Sequence, residues 1–130
     1  MLKEDLLYGE LTEKIVGVYY EVCSELKPGY LEILYHRAME IALRDAGIQC
    51  ESEVPVTVYF RGHSIGTYRT DLIAENRVIL ECKIADRIAV AHRVQVLNFL
   101  KASNQQVALI LNFGTNRSFV RLVNETSRNR

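Results

Sequence analysis

The stretch Tyr68–Lys83, Y-R-T-D-L-I-A-E-N-R-V-I-L-E-C-K, constrains the fold more than any other part of the chain. Two apolar runs, Leu72–Ala74 and Val78–Leu80, flank the polar break Glu75-Asn76-Arg77, the pattern of a β-hairpin. A strand turns alternate residues to one face, so Glu81 and Lys83 project together. Whether Asp71 joins them depends on the turn. With Glu75, Asn76 and Arg77 all in the loop, Ala74 pairs with Val78 and Asp71 lies across from Glu81. A two-residue loop shifts the register by one and sends Asp71 to the other face. In the three-residue register Leu72, Ala74, Val78, Leu80, Cys82 and Ile84 share one core-like face, and Asp71, Ile73, Ile79, Glu81 and Lys83 share the other. The two-residue register mixes Leu72 and Ala74 with Glu81 and Lys83, so the first is favoured.

Two carboxylates and a lysine at one strand end suit a hard cation such as Mg²⁺, which prefers oxygen ligands, keeps several waters and often needs only one or two protein carboxylates. A neighbouring lysine can orient or deprotonate a water on the ion and steady a phosphate oxygen. That is the equipment of metal-dependent phosphodiester hydrolysis. Glu-x-Lys at strand spacing is also the ordinary form of a surface ion pair, and the triplet alone leaves both readings open.

The segments around the hairpin define the fold class. Residues 11–26 carry Ile15, Tyr19, Val22 and Leu26 at helical spacing, with Thr12 as N-cap and Lys27-Pro28-Gly29 as the stop. A second helix is predicted over 31–45, burying Leu31, Leu34, Ala38, Ile41 and Ala42 and ending at Gly47. Glu32 falls in its first turn, where a carboxylate complements the helix dipole, and Tyr35 lies one turn on. Val54–Phe60 alternates as a strand, Ile65–Ala74 returns after Arg61-Gly62-His63-Ser64, and Val78–Ile84 is the third. A helix follows over 86–103, with Val90, Val94, Leu97 and Lys101 near one stripe and Gln95 and Phe99 on a neighbouring one. The nearly continuous apolar run from Gln106 reads as a strand buried on both faces, and Phe119–Val123 as a short further element. Asn124–Arg130 reads as a frayed polar end. The prediction is an α/β (α+β) fold, a mixed central sheet flanked by helices, in one domain over residues 1–130.

Composition adds bounds. The chain has 130 residues and no net charge, but residues 1–50 hold five Lys and Arg against nine Asp and Glu, and residues 51–130 hold eleven against seven. If those halves cover different sides, a polyanion still has a basic surface to meet. No apolar run spans a bilayer and the first residues lack a secretory core, which predicts a cytoplasmic protein without membrane contact. Cys23, Cys50 and Cys82 are far apart and odd in number, so each is expected to be a small apolar residue.

Several motifs then agree in order: Gly29-Tyr30-Leu31-Glu32-Ile33-Leu34-Tyr35, G-I-Q-C-E-S-E-V-P-V, Y-R-T-D-L-I, V-I-L-E-C-K, H-R-V-Q-V-L-N-F-L-K and L-I-L-N-F-G. Together they resemble the small GxxExxY protein family from about Leu11 to Val123, and that family resembles the PD-(D/E)xK nuclease superfamily. The resemblance implies a restriction-endonuclease-like αβββαβ core. It also implies Asp71, Glu81, Lys83 and Gln95 as catalytic residues, and Glu32, Asp71, Glu81 and the Cys82 carbonyl as ligands of Mg²⁺ or Mn²⁺. On that reading the ion polarises the scissile phosphate and lowers the pKa of a bound water, Lys83 orients or deprotonates it, and Gln95 donates to the phosphate or holds Lys83. Arg69, Arg87 and Arg93 are candidates for phosphate contacts. Two departures stand out: Thr70 precedes Asp71 where a proline is usual, and Phe99 holds an aromatic position often filled by tyrosine, so a phenol contact from that helix is absent. The implied function is a metal-dependent nuclease acting on nucleic acid, with DNA the expected substrate and a homodimer a way for so small a domain to grip a duplex. The alternative is a nuclease-like domain that is catalytically silent and binds nucleic acid or a protein partner. A third reading makes Asp71, Glu81 and Lys83 a buried ion-pair network in a structural or dimerising domain.

Overall fold

A computed structural model describes residues 8–124. In chain order the elements are α1 (Gly9–Leu26), α2 (Glu32–Asp45), β1 (Cys50–Phe60), β2 (His63–Ala74), β3 (Val78–Lys83), α3 (Val90–Ser103), β4 (Val107–Asn112) and β5 (Ser118–Val123). The strands form one sheet in the order β1-β2-β3-β4-β5; β3 and β4 run parallel and the other neighbours antiparallel. This is the mixed α+β sheet expected, and α2 through β4 supplies the αβββαβ order. A parallel step requires a crossover, which α3 provides.

The central hairpin takes the three-residue loop. Ala74 pairs with Val78 and Leu72 with Leu80, and Glu75 and Asn76 turn the chain with left-handed φ of 52° and 55°. Its two faces are both buried, against different helices. Leu72, Ala74, Val78, Leu80 and Cys82 pack with Ile15, Tyr19, Tyr35 and Met39 of α1 and α2. Ile73 and Ile79 pack with Val96 and Leu100 of α3. Ile84 departs from the expected face, because it lies beyond β3 and is exposed.

The fully buried Asn112 side chain closes the end of β4. Its Oδ1 accepts from the amides of Ala85 (3.2 Å) and Gly114 (2.9 Å), and its Nδ2 donates to the carbonyls of Ala85 (2.8 Å) and Asn116 (3.1 Å). The chain passes so closely here that a Cβ on Gly114 would meet Ala85 O at 2.7 Å. Asn112→Ala removes the side-chain partner of four main-chain groups, and a loss of about 2–4 kcal/mol in a urea titration is expected. A loss below about 0.5 kcal/mol would show that the bracket is not rigid.

Several sequence expectations are corrected. On α2 the buried residues are Tyr35, His36, Met39 and Leu43, while Leu31, Leu34 and Ile41 are exposed. The stripe is rotated because two polar-tipped rings have partners inside: Tyr35 bonds the α1–α2 turn and His36 Nε2 meets Ser52 Oγ at 3.0 Å. Thr12 is not the N-cap; it sits buried within α1, and its Oγ1 donates back to Gly9 O at 3.1 Å. The third helix starts at Val90 rather than Asp86, since the carbonyls of Ala85 and Asp86 are taken by Asn112 and Asn116. On it Val96 and Leu100 are buried, whereas Val90 and Val94 are exposed. β1 begins four residues earlier than expected, as Cys50, Glu51 and Ser52 pair with Ala74, Ile73 and Leu72 of β2. Asn124, expected to fray, is buried and its amide bonds Gln106 O at 2.8 Å; the rest of that segment, residues 125–130, lies outside the described residues.

Candidate metal centre

The motif around Glu32 is explained by its backbone. Gly29 takes φ +123°, a conformation that L side chains rarely adopt. Around it, the Tyr35 hydroxyl donates to Lys27 O at 2.5 Å and accepts from the Tyr30 amide at 3.1 Å. The Tyr35 ring stacks on Phe113 with centroids 4.9 Å apart. The turn is thereby fixed against the end of β4, and Glu32, in the first turn of α2, reaches the residue just past β3: its Oε2 accepts from the Ile84 amide at 3.2 Å.

The pairing of β2 with β3 ends at Leu72–Leu80. Just beyond, the Cys82 amide donates to Asp71 Oδ2 at 2.7 Å, so a carboxylate stands where the ladder would next offer a carbonyl. Glu81 is only 5% exposed. Burial pushes its carboxyl up from 4.5 to about 8, the adjacent Asp71 carboxylate adds to the rise, and Lys83 opposes it. Its Oε1 is buried and accepts no hydrogen bond among the described residues. Lys83 is half-buried on the same strand; among the described residues no carboxylate stands at ion-pairing distance from it. The buried Cys82 thiol registers the whole arrangement: burial raises its pKa, Asp71, Glu81 and Glu32 raise it further, and Lys83 lowers it.

The structure therefore brings Asp71 and Glu81 together with Lys83 beside them. Glu32 stands at the border, occupied by the Ile84 amide. Among the described residues no three His, Cys, Asp or Glu side chains gather closely enough to hold an ion, and the two carboxylates that meet are those of Asp71 and Glu81. Cys82 meets it through its amide, with its thiol in the core. Gln95 is exposed on α3, and Arg69 donates to Glu53 O at 3.1 Å. Mg²⁺ or Mn²⁺ fits this donor set, because the oxygens are hard, one buried oxygen lacks a partner, and a cation relieves the repulsion between the two carboxylates.

One residue near the centre was not singled out in the sequence. The Tyr68 ring lies on Phe99 of α3, with centroids 3.6 Å apart and planes 22° from parallel. Its hydroxyl is buried with no hydrogen-bond partner among the described residues, and burial, then the Glu81 charge, pushes its pKa up. Strand alternation from Leu72, which packs with α1 and α2, would send residue 68 to the same side, yet Tyr68 sits on α3. The cause is Glu53, whose left-handed φ of 53° interrupts the β1–β2 pairing between Ser52–Leu72 and Val54–Thr70. Leu72 packs with α1 and α2, whereas Val54, two residues along the ribbon, packs with α3. The ribbon thus turns over at Glu53 and carries Tyr68 to the side of Glu81.

Comparisons with known proteins agree with this architecture. The crystal structure of SSO0001 superposes with a TM-score of 0.56 at 16% identity, over 89% of this chain, a likeness of fold. The chain spans 59% of that protein's length. No curated protein matches it. Residues 9–123, which include every strand and helix described above, match the family model of the PD-(D/E)XK nuclease superfamily, and to that superfamily the chain belongs.

Proposed function

We propose that this protein is a metal-dependent nuclease of the GxxExxY type, a single nuclease-like domain over residues 1–130 that hydrolyses phosphodiester bonds of DNA. The observation that carries the reading is the buried Glu81, with an unpartnered Oε1, set beside Asp71 and an unpaired Lys83 at one end of β3. Asp71 and Glu81 would hold Mg²⁺ or Mn²⁺, with Glu32 and the Cys82 carbonyl as further ligands. The ion, when bound, polarises the scissile phosphate and activates water. Lys83 orients that water or takes its proton, and Gln95, exposed on α3, donates to the phosphate. Arg87 and Arg93, both exposed, offer contacts to the sugar-phosphate backbone. The proposal includes a cytoplasmic location; among the described residues no helix is long and apolar enough to cross a membrane. The exposed Leu31, just before α2, and Leu34 and Ile41 on it give apolar surface to a homodimer.

The test is cleavage of plasmid and single-stranded DNA with Mg²⁺ or Mn²⁺, beside Mn²⁺ calorimetry. Metal-dependent cleavage that is lost with Asp71→Ala is expected, and cleavage that survives that change removes the chemistry. A second reading, a silent nuclease-like domain that binds nucleic acid or a protein partner, draws support from the small size and the neutral net charge. Mn²⁺ binding without cleavage, or no binding at all, would favour it.

A further inference from the structure

The ribbon of β1 and β2 outruns the sheet. β3 pairs with β2 only over Leu72–Ala74, whereas β1 and β2 stay paired out to Phe60 and His63. Val56 is buried and its partner Tyr68 lies on Phe99, so α3 holds the root of the ribbon. Past that root the chain from Tyr59 to Thr67 is exposed throughout. The tip is a two-residue turn in which Arg61 and Gly62 take φ of 50° and 80°, the left-handed pair that matches the twist of a hairpin. An exposed Phe60 ring stands there, with the Arg61 guanidinium 5.0 Å from its centroid. From Val54 to Thr70 there is no Asp or Glu against two Arg and one His, in a chain whose total charge is zero. Such an arm suits a polyanion. A second copy fits it less well: Ile65 is an extra residue between the Tyr59–Ser64 and Val58–Gly66 pairs, and a bulge of that kind twists an edge away from strand-to-strand pairing.

We propose that this ribbon is an arm that holds a single strand of DNA along the α3 side of the sheet, with a base stacked on Phe60 and a phosphate on Arg61. Alternation along β1 puts Val58 and Phe60 on the side of Val56 and Tyr68, which is the side of Glu81, and turns Tyr59 away. Between tip and centre the floor is open, because Gly66 lies across from Val58 and nothing stands within 4 Å of where its Cβ would be. Extended chain of about 25 Å runs from His63 to Asp71, so a strand held at the tip on that side passes the centre. The choice of a single strand follows from the charges. Two arginines make few phosphate contacts, too few for a duplex grip that rests on charge, whereas an aromatic face stacks on any base whose own face is free. The inference rests on the nuclease reading above and adds to it the way the strand is held; it needs no ion at the centre.

The test is fluorescence anisotropy of a labelled oligothymidylate of about 20 nucleotides in EDTA, where metal-dependent cleavage does not proceed. Phe60→Leu keeps the apolar bulk and removes the ring, and Tyr59→Leu does the same on the opposite face. The first is expected to weaken binding about fivefold or more and the second less than about twofold. Arg61→Ala is expected to make the dependence of log affinity on log salt shallower by about 0.7. Phe60→Leu binding as tightly as the wild type overturns the arm, as does a loss in Tyr59→Leu equal to that in Phe60→Leu. A wild type that binds no oligothymidylate, or that prefers a duplex of the same length, overturns it too. Conversion of a wild-type dimer to a monomer by Phe60→Leu in light scattering would overturn it in favour of a second copy. Mn²⁺ calorimetry on these variants is expected to match the wild type, so the arm can fail while the metal centre stands. Cleavage that survives Asp71→Ala would remove the centre and leave oligothymidylate binding in place.

Discussion

Glu81→Gln is expected to stabilise the metal-free protein at neutral pH while abolishing Mn²⁺ binding. In the folded protein the Glu81 carboxyl titrates at about 8 rather than 4.5, because it is buried next to Asp71. Between those values the folded state keeps a proton that the unfolded chain has released. Stability therefore falls as pH rises from 4.5 to 8, by about 1.4 kcal/mol per pH unit at most, and levels off above. At pH 7 the penalty is on the order of a few kcal/mol, and glutamine removes it because it carries no proton to lose. Urea titrations from pH 5 to pH 8 should show a falling midpoint for the wild type and a flat one for the variant. The same linkage makes a divalent ion displace that proton, so Mn²⁺ binding should tighten with rising pH and release protons in calorimetry. A variant that still binds Mn²⁺ at wild-type strength would take Glu81 out of the centre.

Lys83→Met is expected to lower cleavage by about 10²–10⁴-fold, the range for loss of a positioned acid–base group, with Mn²⁺ affinity unchanged or raised. Lys83 is half-buried, has no ion-pair partner among the described residues, and acts on both Glu81 and Cys82. Removing a positive charge beside the carboxylates leaves more negative potential for a cation, which is why binding and turnover should move apart. Lys83→Arg refines the result: arginine keeps the charge but does not give up a proton, so rescue would assign an orienting role and failure a proton-transfer role. Equal cleavage by Lys83→Met and the wild type would discard the proposed chemistry.

The central hairpin was legible because its composition alternates on both faces. Only one register gives Leu72, Ala74, Val78, Leu80 and Cys82 a common side, and that register puts Asp71 and Glu81 together. The helices were less so. Counting aliphatic side chains on α2 points to Leu31, Leu34 and Ile41, but hydrogen bonds to Tyr35 and His36 let those rings take the interior. On α3 the apolar residues go most of the way round, so periodicity alone chose no side. Its start depended on Asn112, a residue far along the chain whose amide holds Ala85. Tyr68 was hidden for a different reason. A period of two predicts faces only while the strand stays regular, and a glutamate at φ 53° is not a turn signal that composition reveals.

The reversal at Glu53 also bears on how the molecule comes apart. One continuous pair of strands is covered from below near Leu72 and from above near Val54. Neither helical layer owns a section of sheet that could survive by itself, because stripping either one frees the shared ribbon to untwist and uncovers the half beneath the other. Melting should accordingly be an all-or-none event, with no stable remnant that keeps α3 and loses α1 and α2.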